Sequence, residues 1–325
     1  MGQFSEKRLL VIGDVMLDRF IWGNVSRISP EAPVPVVHVT SESSYPGGAA
    51  NVARNLSPFT ARVDVMGLVG QGPQAEALID TLKRENLETE LLLQCPDHET
   101  IVKTRVIARS QQVVRIDRER AARPDAALIA RAQSSIEARL NETDAIIFED
   151  YAKGFICQEL VDFIVEQASA RHIPITVDPN PNNPISWSGA TAIKPNKSEA
   201  FKLAGQTDRS LGKEPLKDPA IAEVERFLRD LWGNQHLLIT LGEEGMVLFP
   251  SKGQPVFCPP RAREVFDVSG AGDTAIAFFT LALCSGAEPA EAALLANGAA
   301  SAVVGKIGTA TLTQEELEQA IINDE

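Results

Sequence analysis

Residues 267–274 (DVSGAGDT) run straight into the apolar stretch 275–284. Gly270 and Gly272 let the backbone approach a ligand closely. The free N–H groups and positive dipole end of the helix that follows suit an anion such as a phosphate. A carboxylate beside such a site repels phosphate, and Asp273 needs a reason of its own to be there. Accepting a proton from an attacking hydroxyl is one reason; capping the helix is the other. Gly270-x-Gly272-x-x-Ala275 also fits the dinucleotide pattern GxGxxG/A. That pattern opens a first βαβ unit and has an acidic residue ending the next strand, whereas here only helical sequence follows, with Glu288 and Glu291 at a helix start. No GxxxxGK[ST] loop and no HRD or DFG set occurs, which excludes those nucleotide-binding classes.

Residues 45–53 (YPGGAANVA) place Gly47 and Gly48 before a helix of small residues. A double glycine there is often only a turn, but Asn51 is a weak helix former in an unexpected place, which a ligand contact explains. Asp14 ends strand 8–12, with Asp18 close behind, and Asp150 follows strand 145–148. Ligands of doubly wound sheets lie off the carboxyl ends of strands, so Asp14 and Asp150 are placed to bind hydroxyls. Carboxylates and an Asn converging there suit a polyol. In residues 194–199 (KPNKSE), Asn196 and Glu199 stand three apart where a strand passes into a helix, a spacing that also makes a capping box. Residues 240–245 (TLGEEG) are a glycine-bracketed turn after an apolar strand, either nucleotide equipment or an ordinary loop.

Positioning these groups requires an α/β framework. Short β-branched runs at 8–12, 63–69, 145–148, 173–177 and 237–241 alternate with helical patterns at 74–84, 125–140, 158–172, 197–204 and 221–231. This order predicts a doubly wound, mainly parallel sheet with helices on both faces. Helices at 273–285, 289–304 and 313–322 close the chain, and the polar segment 208–218 reads as a loop. Two-faced runs at 34–39 and 101–117, the second a hairpin turning near Arg109-Ser110-Gln111, predict a small antiparallel sheet beside the main one. Lys103 and Arg105 share one face of that hairpin, as do Arg115 and Asp117 on its second strand. Such alternation marks either a solvated outer face or a lid that presents cations to a ligand.

Composition narrows the function. The 325 residues are 44% hydrophobic and 23% charged, with a net charge of −13. An acidic surface argues against non-specific binding to nucleic acid or anionic lipid, while a few local cations can still hold a phosphate. The four cysteines show no metal or disulfide spacing. No signal peptide, membrane span or myristoylation pattern is read, so the expectation is a cytoplasmic protein.

Taken in order, GDVMLD, PGGAANVA, NKSE, TLGEEG and DVSGAGDT resemble the ribokinase, or PfkB-type, family of sugar kinases along nearly the whole chain. The resemblance implies a ribokinase-like α/β domain with a small β-sheet lid, ATP with Mg²⁺, and γ-phosphoryl transfer to a sugar hydroxyl. It makes Asp273 the base and the 270–272 turn the anion hole. Lys194, Asn196, Glu199, Thr240, Gly242, Gly245 and Asn297 then fall at the nucleotide, with Glu199 acting on Mg²⁺ through water. Asp14, Gly47, Gly48 and Asn51 fall at the sugar. A monovalent cation is a further candidate cofactor, its requirement left open.

Residues 26–37 (SRISPEAPVPVV), 150–154 (DYAKG) and 303–309 (VVGKIGT) are similar, more narrowly, to the kinase domain of the heptose 7-phosphate kinases. That likeness implies phosphorylation at C1 of D-glycero-β-D-manno-heptose 7-phosphate on the way to ADP-heptose for lipopolysaccharide core. Lys103, Arg105 and Arg115 would fit a substrate that already carries a phosphate. Two departures stand out: Asn180 replaces an expected cation, and Glu149 adds negative charge near the sugar. The expectation is one kinase domain over 1–325, with a lid from about 15–45 and 95–118. No nucleotidyltransferase domain is expected after Glu325, and adenylyl transfer is then expected to come from another protein. A kinase for an unphosphorylated sugar or nucleoside, and a non-catalytic binding regulator, are the alternatives. The lid edge at 34–39 invites a homodimer.

Overall fold

The computed structural model describes residues 2–109, 111–120, 122–210, 214–261, 269–306 and 310–322. Asp267 and Val268 of the glycine motif, Ser110 of the hairpin turn and residues 307–309 lie outside the described residues.

The strands are β1 (Arg8–Gly13), β2 (Val15–Ile28), β3 (Pro35–Gly48), β4 (Arg62–Val69), β5 (Leu92–Gln94), β6 (Glu99–Ala108) and β7 (Gln111–Arg120), then β8 (Ala145–Glu149), β9 (Ile175–Asp178), β10 (Ala192–Ile193), β11 (His236–Thr240), β12 (Met246–Phe249) and β13 (Val256–Cys258). The helices are α1 (Ala49–Leu56), α2 (Pro73–Arg84), α3 (Ala126–Leu140), α4 (Gln158–Ala170), α5 (Lys197–Leu203), α6 (Pro219–Trp232), α7 (Ala271–Cys284), α8 (Pro289–Val304) and α9 (Gln314–Ile322).

Among the described residues the main sheet has nine strands in the order β13-β12-β11-β10-β9-β8-β1-β4-β5. It is parallel except where β12 and β13 turn back antiparallel. The near-continuous apolar runs follow from burial on both faces. Leu10 and Ile12 join a core with Ile136, Ile164 and Leu228 from α3, α4 and α6; Leu9 and Val11 join one with α1, α2 and α7.

The second sheet has the order β3-β2-β6-β7. Its hairpins β2–β3 and β6–β7 are antiparallel and join through a parallel β2–β6 pair. The strand read at 34–39 extends to Gly48, and β2 carries no apolar run that would expose it to pattern reading. Both gain their length from mutual pairing, with bulges at Trp22/Gly23 and Val25/Arg27. The strand read from residue 173 begins at Ile175, because the Ile173 N–H donates to Ala168 O (2.9 Å) and still belongs to the end of α4.

Candidate active site

Helix α7 begins where Gly270 turns through φ +83°, ψ 0°, the left-handed region that favours glycine. A Cβ there would also stand 2.9 Å from Asn51 Nδ2. The Thr274 N–H donates back to Gly270 O (2.9 Å), so the N–H groups before it lack helical partners and form an anion-attracting end. Helix α1 reaches this turn because Ala49, Ala50 and Ala53 let it pack closely against α7. Polar bonds then fix the pair: Thr274 Oγ1 donates to Asn55 Oδ1 (3.1 Å) and Asn51 Nδ2 to Asp273 Oδ2 (2.7 Å).

Asp273 does not cap its helix, and that alternative is removed. Its second oxygen, Oδ1, accepts from the Tyr151 hydroxyl at 3.0 Å, and the N-cap position belongs to Gly270. The capping geometry fails because both oxygens point away from the α7 amides toward α1 and the loop after β8. Burial, and after it the charge of Asp178, push the Asp273 carboxyl up to about 6 against the hydrogen bonds from Asn51 and Tyr151. Sequence reasoning did not assign Tyr151. The available signal was a tyrosine directly after a strand-end Asp, since a buried phenol must find a polar partner.

A cavity of about 780 Å³ opens in front of α7 and is lined by Ala271, Gly272 and Asp273. All seven residues assigned to the nucleotide, Lys194, Asn196, Glu199, Thr240, Gly242, Gly245 and Asn297, also line it. Lys194 is 3% exposed, and its Nζ lies 2.6 Å from Asp178 Oδ2. Burial works against the charged lysine, but Asp178 and Glu149 outweigh it and hold the Lys194 pKa up. Asn196 and Glu199 do form a capping box on α5: the Glu199 N–H donates to Asn196 Oδ1 (2.9 Å) and the Asn196 N–H to Glu199 Oε2 (2.8 Å). The box also pins both side chains at the cavity wall. The Thr240 N–H donates to Pro195 O (3.1 Å), and the turn after it closes through the Leu241 N–H donating to Gly245 O (2.7 Å). Asn297 Nδ2 donates to Pro259 O at 2.7 Å. Asp178 and Arg261, also in the lining, were not foreseen as site residues.

The residues assigned to the sugar lie beside this cavity rather than in its wall. Asp14 Oδ2 accepts from the backbone N–H groups of Tyr151 (3.0 Å) and Lys153 (2.9 Å). Asp150 accepts from the Ala152 N–H (2.8 Å) and Asn183 Nδ2 (3.0 Å). Burial, the largest influence, lifts the Asp14 carboxyl and takes that of Asp150 up to about 7. Both carboxylates thus hold the loop after β8. Gly47 lies against Asp18, and Gly48 (φ +59°) carries the chain from β3 into α1, where Asn51 Oδ1 is buried with no hydrogen-bond partner among the described residues.

One expectation is corrected. The hairpin face is charge-balanced rather than basic, because strand register places acids in the same rows as the cations. Lys103 Nζ lies 3.7 Å from Asp117, Arg105 pairs with Asp18, and Arg115 donates from two nitrogens to Asp117 at 2.9 Å each. Glu149 is 2% exposed, its Oε2 has no hydrogen-bond partner among the described residues, and burial, then Asp178 and Asp273, hold its carboxyl well above the usual range. Asn180 makes a turn, its Oδ1 accepting from the Asn182 N–H (3.0 Å), and the buried cation of the cavity is Lys194.

A three-layered α/β body with a side sheet, and an aspartate at a glycine turn above a lysine-floored cavity, define a phosphoryl-transfer class of enzyme. Residues 6–316 match the family described as "pfkB family carbohydrate kinase", and the chain belongs to that family. It is a sugar kinase, a phosphotransferase with an alcohol group as acceptor. Among curated relatives it is 41% identical over 321 residues to the "Bifunctional protein HldE" of Koribacter versatilis, covering 98% of this chain and 64% of that one. It is 43% identical over 316 residues to that of Caulobacter vibrioides, covering 97% of this chain and 63% of the relative. The chain thus spans less than two thirds of the length of these relatives. A solved structure titled Arabidopsis thaliana ribokinase complexed with ribose and ATP has a similar fold, with a TM-score of 0.75 at 15% identity over 98% of this chain and 99% of that chain. Escherichia coli phosphofructokinase-2 in complex with potassium is similar at a TM-score of 0.76 and 17% identity, again over 98% and 99%.

Proposed function

We propose that this chain is an ATP-dependent kinase that phosphorylates the C1 hydroxyl of D-glycero-β-D-manno-heptose 7-phosphate, giving the 1,7-bisphosphate used in ADP-heptose formation. The observation that carries the kinase chemistry is the Asp273 carboxylate, held by Asn51 and Tyr151 beside the open N-terminus of α7. The heptose reading rests on the likeness of residues 26–37, 150–154 and 303–309 to the heptose kinases. The identity of about 40% to the HldE relatives supports it.

In this reading the sugar enters between the side sheet, acting as a lid, and the loop after β8. Asn51 Oδ1, with no partner among the described residues, accepts a sugar hydroxyl. Asp273 takes the proton of the attacking hydroxyl and aligns it with the γ-phosphorus, while the amides of the 270–272 turn receive the charge that develops on the moving group. Lys194 meets the nucleotide phosphates. Among the described residues no group of three or more His, Cys, Asp or Glu could hold a metal. Glu199 and Asp178 on the cavity wall nevertheless fit an Mg²⁺ held mainly by phosphates and water, with the charge neutralisation that ion supplies when bound. No helix among the described residues is long and apolar enough to cross a membrane, and we place the enzyme in the cytoplasm. The exposed Val34 and Val39 at the β3 edge support a homodimer through the lid, to be checked by sedimentation.

A second reading has one observation in its favour. Lys103, Arg105 and Arg115 are all paired with carboxylates, which suits an unphosphorylated sugar. Coupled ADP release over a panel of sugars and sugar phosphates decides between them. Turnover on heptose 7-phosphate with a C1-phosphorylated product supports the first reading, and turnover on unphosphorylated sugars alone supports the second.

The acid side of the pH profile tests the base. A carboxylate serves as base only when ionised, so kcat should fall as pH drops through about 6, the value to which burial raises Asp273. Tyr151→Phe removes a hydrogen bond that stabilises the ionised form and orients it. That limb should move to higher pH, with kcat reduced about tenfold or more, as for loss of a hydrogen bond to a charged group. An unmoved limb would show that another group titrates there.

A further inference from the structure

The loop between β8 and α4 is unusually well fixed. Ala152 holds φ +55° and Gly154 φ +105°, and the loop amides are tied to the buried carboxylates of Asp14 and Asp150. Tyr151 from this loop touches Asp273. Two residues on, Lys153 extends to the lid, where its Nζ lies 2.7 Å from Glu119 Oε1 on β7. The other oxygen of Glu119 lies 3.9 Å from Lys103 Nζ on β6. A single carboxylate therefore bridges one ammonium group from the body and one from the lid, on the lid face that also carries Asp18 and Arg105.

We propose that Lys153 is a specificity-determining residue that, with Lys103, holds the phosphate already present on the substrate, and that Glu119 occupies this place until the substrate arrives. The inference rests on the reading above that the substrate is a sugar phosphate. Two lysines facing one anion match a phosphate monoester better than a carboxylate, since the ester brings about twice the charge and three terminal oxygens. Glu119 is displaceable: its side chain is 31% exposed and that of Lys153 22%, and ion pairs that water partly reaches contribute modestly. The loop thus carries Tyr151 at the reacting end of the site and Lys153 toward the lid. That is the spacing needed by a sugar with one end phosphorylated and the other about to be. Binding would also draw the lid onto the body, because the two ammonium groups belong to different parts of the fold.

The test is steady-state kinetics with D-glycero-β-D-manno-heptose 7-phosphate and with the same heptose lacking its phosphate, on wild type, K153Q, K153R and E119Q. K153Q should raise KM for the heptose phosphate about tenfold to a hundredfold, the range of a lost charged contact, while KM for ATP moves less than about twofold. K153R should restore most of the loss. E119Q, which removes the carboxylate shared by the two lysines and leaves Asp117 beside Lys103, should lower that KM about two- to fivefold, as expected for a partly exposed pair. None of the variants should differ from wild type in KM for the unphosphorylated heptose. A wild type that uses both sugars equally overturns the substrate reading itself. A wild type that discriminates, with K153Q discriminating as strongly, overturns the role of Lys153 alone. An E119Q variant with a raised KM would show that Glu119 helps to build the site rather than to fill it.

Discussion

Asp273→Asn is expected to lower kcat by about a thousandfold or more, the loss that follows removal of a group that both accepts the proton and aligns the nucleophile. The substitution is nearly isosteric, and its surroundings can adapt. The new amide oxygen can still accept from Asn51 Nδ2, while the amide nitrogen donates to the Tyr151 oxygen, replacing contacts now made at 2.7 and 3.0 Å. Nucleotide binding should therefore survive, and the effect should fall on turnover. Stability distinguishes this loss from unfolding. Burial holds the folded-state pKa of Asp273 near 6, above the 3.8 of an unfolded carboxyl. Such a raised value means that stability contributed by the protonated form is lost as pH rises through the folded pKa, so at pH 7 to 8 the charged form costs stability. Asn removes that cost. Its melting temperature should equal or exceed that of wild type at pH 8, and the gap should shrink as pH falls below about 6. A variant that keeps more than about a tenth of wild-type kcat would falsify the assignment of Asp273 as base.

Much of this site is legible in the chain because its backbone needs are written in residue type. Gly270 must take a left-handed turn, and Gly-Ala-Gly-Asp before an apolar run leaves few other uses for the amides it exposes. The strands of the main sheet are equally plain, since burial on both faces forces continuous apolar runs such as Leu9–Ile12 in β1. Long-range pairing is what sequence patterns do not carry. Strand β2 has mixed polarity and is held by two partners distant in the chain, so nothing local marks its length. The same register sets Asp18, Lys103 and Asp117 in one row, which turned an expected cationic face into a balanced one. Charge state is still less visible. Glu149 reads as an ordinary anion, yet the fold buries it near Asp178, Asp273 and Lys194 and pushes its carboxyl well above the usual range. Tyr151 was hidden for a related reason: its role depends on a partner at position 273, brought near only by the packing of α7 against β8, elements far apart in the chain.

Lys194→Met should destabilise the fold by about 3–5 kcal/mol, the range for removing one partner of a buried ion pair. Lys194 Nζ stands 2.6 Å from Asp178 Oδ2, the lysine side chain 3% exposed and the aspartate 15%, so its loss leaves a largely buried carboxylate on the cavity wall without its counter-charge. Glu149 gives no relief, because it lies on the next strand in register with Asp178 and brings a second carboxyl to the same spot. Nucleotide affinity should fall as well, since Lys194 is the buried cation of the cavity wall. The two consequences separate in the double variant. Asp178→Asn in the Lys194→Met background removes the stranded charge and should recover most of the lost stability, because both partners of a buried pair can be neutralised at small net cost. It cannot restore the cation, so ATP binding should stay weak. Urea unfolding and ATP titration calorimetry on the four proteins of this cycle read both quantities. Equal destabilisation in the single and double variants would mean that Lys194 supports the fold by packing alone. Recovery of ATP affinity along with stability would mean that the lysine meets no phosphate.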